Sequence, residues 1–158
     1  DLIASHNLNI DIENESFASK FVNIEGYKTY KSKERVLMKT WKDGYLLSLW
    51  IGIKSNTRKK DFKSKEKART LDRKSQYLYL ISQILSKKEV LIELDLESID
   101  AIKNSGTNVK MISDKLKRIC DEFAFGGLEY IKELYEKDEE IFDDPGFFEK
   151  IFKSFEGN

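Results

Sequence analysis

Between Val109 and Phe123 the apolar residues Val109, Ile112, Leu116, Ile119 and Phe123 step by three and four, and the same step continues to Tyr130, Ile131 and Leu134. That period places them on one face of a helix. In the middle of the stripe, in the stretch DEFAFGGL at 121–128, Gly126 and Gly127 stand side by side. A glycine inside a helix costs about 0.8–1 kcal/mol against alanine, so the pair requires a compensating role. One long helix could cross a neighbour closely at the glycines, or a first helix could end near Phe125 and a second begin after Gly127 around a left-handed cap. We expect the break; in both arrangements Phe123 and Leu128 stay on the core side.

Other segments carry the same period. WKDGYLLSLWIGIK (41–54) places Tyr45, Leu46, Leu49, Trp50 and Ile53 on a core-facing stripe, with Asp43 in the first turn, where it suits the positive end of the helix dipole. Gly52 and the polar run SNTRKK mark its end. LDRKSQYLYLISQIL (71–85) is a further core helix. Asp144 as cap and Pro145 at the first helical position open a last helix bearing Phe147, Phe148, Ile151, Phe152 and Phe155. Phe17, Phe21 and Ile24 suggest a helix stopped by Gly26, and residues 27–40 are expected to be helical near their end. EVLIELDL (89–96) fits a short strand or a helical turn, and NSGTN (104–108) is a loop. In NLNIDIEN (7–14), Leu8, Ile10 and Ile12 alternate as in a strand or extended arm, with no obvious partner to pair with. The fold expected is therefore mainly α: a compact bundle of about five to seven helices with a short amino-terminal strand or arm. Residues 1–40 form the arm and first helix and 41–158 the helical core of one domain.

The net charge of zero conceals a segregation. Residues 54–74 hold ten bases against three acids, net +7, whereas residues 121–158 hold twelve acids against four bases, net −8. Lys54, Arg58, Lys59, Lys60, Lys63, Lys65, Lys67, Arg69, Arg73 and Lys74 could neutralise phosphates of a nucleic acid. The alternatives are a solvated loop or a segment folded against the chain's own acidic end. The overall pI near 6.8 and the single interleaved aromatic, Phe62, weigh against a dedicated nucleic-acid surface.

The residue types that carry chemistry are sparse. His6 is the only histidine and has no cysteine or histidine at ligand spacing, so no metal site is expected. Cys120 is the only cysteine and lies on an apolar helical face, where it reads as a small core residue. The carboxylates of Asp138–Glu140 and Asp143–Asp144 form one solvated acidic run, and no glycine spacing makes a phosphate-binding loop. We therefore expect no catalytic residues and no cofactor. No apolar run approaches the length of a membrane span and the first residues do not resemble a signal peptide, so a cytoplasmic protein is expected.

The order WKDGYLLSLWIGIK, RKK, QYLYLISQIL and EFAFGGLEYIKELY resembles a group of small helical proteins associated with bacterial DNA phosphorothioation (Dnd-type) and related anti-phage systems. Lys42, Asp43, Leu46, Gly52, Arg58, Glu122, Phe123, Ala124, Gly126, Gly127 and Leu128 carry the resemblance, which covers about residues 40–135. It implies a setting, defence against foreign DNA, more than a reaction. The expected function is that of a non-catalytic accessory or adaptor binding a protein partner, with Phe147, Phe148, Phe152 and Phe155 as the contact. The alternative is a DNA-binding module that uses residues 54–74, autoinhibited by residues 136–144. The same aromatic stripe either completes the monomer's core or pairs with a second copy, so the oligomeric state stays open.

Overall fold

The computed structural model describes residues 7–23, 37–68, 75–98, 100–101, 109–142 and 146–156. Among these, the order of elements is β1 (Leu8–Asp11), a single 3-10 turn, α1 (Glu15–Ala18), α2 (Trp41–Ser55), β2 (Ser64–Ala68), α3 (Ser75–Leu85), α4 (Lys88–Glu93), α5 (Val109–Lys137) and α6 (Phe147–Glu156). The chain is mainly helical with an amino-terminal strand, as its hydrophobic periods predict, and among the described residues that strand belongs to a short two-stranded sheet that they do not. No described helix is long and apolar enough to cross a membrane.

The expected break at the glycine pair does not occur. α5 runs unbroken for 29 residues, about 44 Å at the helical rise, through Gly126 and Gly127. The reason lies in α2, which crosses it there. A Cβ on Gly127 would fall on the backbone carbonyl of Ser48, one on Gly52 on the carbonyl of Phe123, and one on Gly126 on the carbonyl of Thr57. The two backbones are thus in direct contact, which no larger residue permits. Ser48 and Gly52 lie four apart on α2, so the seam is small on both helices. The resulting burial extends well beyond one stripe: every residue from Ile119 to Leu128 is buried, Asp121 and Glu122 included.

α2 is held at both ends. Thr40 caps it, its hydroxyl oxygen accepting from the Asp43 amide at 3.3 Å while the hydroxyl donates to the Asp43 carboxylate at 2.9 Å. Asn56 ends it in the left-handed conformation at φ 53°, its amide donating to the Gly52 and Ile53 carbonyls. Tyr45, Leu49 and Ile53 are buried as the stripe predicts, but so are Gly44, Ser48 and Ile51, because α2 is covered on several sides. Leu46 and Trp50 pack only partly against the core.

The amino-terminal strand does have a partner. β1 pairs antiparallel with β2, Ile10 opposite Lys65 and Asp11 opposite Ser64, so the strand lies within the segment expected to be a solvated or folded-back basic loop. SKEKA carries no apolar alternation and gives no strand signal of its own; β1 supplies the buried face through Leu8 and Ile10. The helix expected after Ser16 is only α1, because the chain then extends to form a parallel bridge between Val22 and Met38. Met38 donates its amide to the Phe21 carbonyl, so residues 37–40 are bent and extended rather than helical. Residues 88–93 settle as helix. The loop at 104–108, Leu71 to Lys74, Ile24 to Val36, Asp144 and Pro145 lie outside the described residues.

Aromatic contacts close the carboxyl-terminal end. Phe17, Phe21, Tyr135 and Phe142 form one cluster, Phe142 lying 5.1 Å from Phe21 and 5.2 Å from Tyr135, and Phe147 joins it at 5.5 Å from Phe142. The helix crossing sets the sign of one substitution. In an ordinary helix Gly→Ala stabilises by about 1 kcal/mol. Here Gly127→Ala is expected to destabilise by about 2–3 kcal/mol through overpacking, seen as a lower urea midpoint. An unchanged or raised midpoint would show that the backbones are not in contact.

Candidate functional site

Two features stand out from the scaffold: a polar network beside the helix crossing and an aromatic surface on α6. The network begins where α2 ends. The turn after Asn56 lays residues 57–59 along α5, the Lys59 amide donating to the Glu122 carbonyl at 2.9 Å. Arg58 is thereby set between two carboxylates. Its guanidinium forks onto Glu93, Nη1 to Oε1 at 2.5 Å and Nη2 to Oε2 at 2.9 Å, and also donates from Nη2 to Glu122 Oε2 at 2.5 Å. The same group lies 5.1 Å from the centre of the Phe123 ring. Hydrogen bonding to Glu93 first, and to Glu122 after it, raises the Arg58 pKa despite burial. In return Glu93 is held below the usual carboxylate range.

Lys59 serves the neighbouring group. Its ammonium donates to Asp11 at 2.6 Å and to Glu13 at 2.9 Å, and lies 3.1 Å from Glu129. Burial pulls the lysine's pKa down, but the three carboxylates outweigh it and the net shift is upward. Asp11 is fully buried, and Asn14 bridges it to α5 by donating to Asp11 at 3.0 Å and to Glu129 at 2.8 Å. Burial alone would raise the Glu129 pKa; the bonds from Asn14 and Lys59 reverse that and lower it. Deeper in, Asp121 accepts from the Tyr45 hydroxyl at 2.8 Å and from the Asn9 side chain at 2.9 Å, tying α2 and β1 to α5. Cys120 beside it is fully buried, and burial pushes its thiol pKa up, the environment of an unreactive thiol.

The ten cations of the basic segment therefore divide. Arg58 and Lys59 are turned inward onto Glu93, Glu122, Asp11, Glu13 and Glu129. Lys65 pairs with Glu15 at 2.6 Å, and Lys67 lies 3.8 Å from the same carboxylate. Lys54, Lys60 and Lys63 are exposed. Arg69, Arg73 and Lys74 lie outside the described residues, as does His6. The segment folds against acids of β1, the 3-10 turn, α1, α4 and α5, and so in part against the chain's own acidic end, through Glu122 and Glu129; farther along that end Asp138 faces Lys150 at 3.1 Å. The buried carboxylates that receive these cations are invisible to hydrophobic period, which sees Asp11 and Glu122 only as interruptions.

The four phenylalanines of α6 divide as well. Phe147 is in the core and Phe155 is half-buried, 5.7 Å from Trp50 and 5.6 Å from Tyr130. Phe148 and Phe152, one turn apart, remain 42% and 52% exposed. Phe152 lies edge-on to half-buried Trp50 at 5.1 Å, so the exposed aromatic area continues onto α2. Trp50 is the member of this surface that sequence reasoning assigned to the core; its position on the stripe's edge was the available signal.

Two outcomes follow from the network. Lys59→Met would leave Asp11 buried with its cation gone, and a loss of about 3 kcal/mol is expected in chemical denaturation; a loss below 1 kcal/mol would mean Asp11 is not held by this pair. Glu93 and Glu129 have folded pKa values below their ordinary 4.5, so their contribution to stability is complete above that pH and disappears as pH falls through the lower folded values. Melting temperature should fall along that acid limb, and Arg58→Met should flatten it by returning Glu93 toward its ordinary value. Parallel curves for the two proteins would contradict the assignment.

Comparison with protein-family models, with curated proteins and with solved structures gives no match to this chain.

Proposed function

We propose that this protein is a non-catalytic accessory or adaptor of a bacterial DNA-modification and anti-phage defence system, acting through protein–protein contacts made by the outer face of α6. The observation that carries the binding role is the pair Phe148 and Phe152, large aromatic side chains left exposed one turn apart and continuous with Trp50. Aromatic residues grouped in this way are enriched in the anchoring part of protein interfaces. The setting rests on the resemblance of the segments around Gly52, Arg58, Glu122 and Gly126–Gly127, residues that meet at one helix crossing. Because they act there as a structural joint, they support a shared scaffold and leave the working surface to be sought elsewhere.

Binding to DNA through residues 54–74 is the second reading. Exposed Lys54, Lys60 and Lys63 favour it, and the inward turn of Arg58 and Lys59 reduces what the segment offers to a phosphate backbone.

Co-expression with the proteins encoded beside it separates the two. A partner should co-purify with the wild-type chain and be lost with Phe148→Glu/Phe152→Glu while the helical circular dichroism is unchanged. Equal retention by both would defeat the first reading. Retention on DNA at low salt that disappears on neutralising Lys54, Lys60 and Lys63 would favour the second.

A further inference from the structure

We infer that the outer face of α6 pairs with the same face of a second copy of this chain, in an antiparallel arrangement about a two-fold axis. The inference rests on the reading of this face as a protein contact and names its occupant. Phe148 and Phe152 form one stripe of the helix, and Glu149 and Lys153 form the stripe beside it, bridged at 3.0 Å with both side chains 69% exposed. A two-fold axis perpendicular to the plane of two side-by-side helices runs them antiparallel and keeps equivalent flanks on the same side of the seam. Phe148 then meets Phe152 of the second copy in the seam, and Glu149 on one flank meets Lys153 of the second copy. Trp50, on the opposite flank, approaches its own counterpart and widens the aromatic contact.

The charge pattern is what selects a second copy. One acid and one base a single turn apart on the same flank are complementary to themselves when reversed, whereas a parallel two-fold pair would lay Glu149 and Lys153 against the Trp50 flank of the other copy and leave both charges without an opposite partner there. Nothing in the overall charge opposes the encounter, since the chain carries 28 bases and 28 acids. Two phenylalanines and part of a tryptophan per copy make a small interface, so a weak, concentration-dependent dimer is expected.

Sedimentation equilibrium of the full chain over a range reaching millimolar concentration tests this. The wild type should pass from monomer to dimer, and Phe148→Glu/Phe152→Glu should weaken association by about 100-fold or more. Glu149→Lys sets like charges opposite each other and should weaken it by about fivefold, and Glu149→Lys/Lys153→Glu should restore it. Circular dichroism and melting temperature show that each variant is folded; both flank positions are solvent-exposed, so folding is expected to survive the charge reversal. A wild type that stays monomeric throughout overturns the inference, as does a dimer indifferent to Glu149→Lys. A monomer that still retains a different protein through Phe148 and Phe152 would leave the accessory reading standing and remove only the second copy.

Discussion

The contact between the backbones of α2 and α5 is the constraint on which the remaining structure depends. Helices meeting through ordinary side chains keep their axes about 8–10 Å apart. With glycine at 52, 126 and 127, carbonyls of each segment instead rest against Cα atoms of the other. Both helices lose stability locally from these residues. They regain it through the buried area of the longest helix in the chain, all ten positions of its middle stretch being withdrawn from water. The crossing also fixes direction: Asn56 turns the chain left-handed at the end of α2, and Thr57 passes directly over Gly126. Arg58 and Lys59 follow and have no latitude in where they arrive.

That placement explains why charged residues can lie in the interior. Asp121 and Glu122 would be costly in a wholly buried stretch unless hydrogen-bonded and paired. Tyr45 and Asn9 satisfy the first, Arg58 the second. A hydrophobic replacement of comparable shape can be equally stable; what the ionic arrangement adds is position, because each bond joins elements distant in sequence. Asp121 ties β1 and α2 to α5, Arg58 ties α4 to α5, and Lys59 with Asn14 ties the turn after β1 to α5. The small sheet depends on the same bonds, since two strands alone are marginal in water.

Much of this was legible in the sequence, and the failures share one cause. The interiors of α2, α3 and α5 and the aromatic character of α6 follow from apolar spacing, because one stripe facing one core is a local pattern. Gly126 and Gly127 were misread as a break because helix propensity is local, while the feature that keeps α5 continuous, the small seam of Ser48 and Gly52, lies over seventy residues away in sequence. The step of four from Gly44 to Ser48 to Gly52 was a usable signal. β2 could not be read at all: SKEKA acquires its pairing only from β1, whose apolar alternation was visible but lacked a partner. The basic segment looked like one feature, and its division into inward and outward cations depends on carboxylates in five other elements.

The shifts in the polar network bear on what its four charged residues do. A group that moves protons at neutral pH needs a pKa near that pH. Here Glu93 and Glu129 are driven further into the charged range by their cations, and Arg58 and Lys59 by their carboxylates. Each partner deepens the charge of the other, so these four keep their charges across physiological pH and act as fixed struts. Phe148 and Phe152 are in the opposite condition. They are large, apolar and wet, on a helix whose other face is already filled by Phe147 and Ile151. Rotating α6 to bury them would expose those two core residues, so no such rotation relieves their exposure among the described residues. Burial against another surface removes their contact with water while leaving the core intact, which is why the outer face of α6 is where association is to be sought.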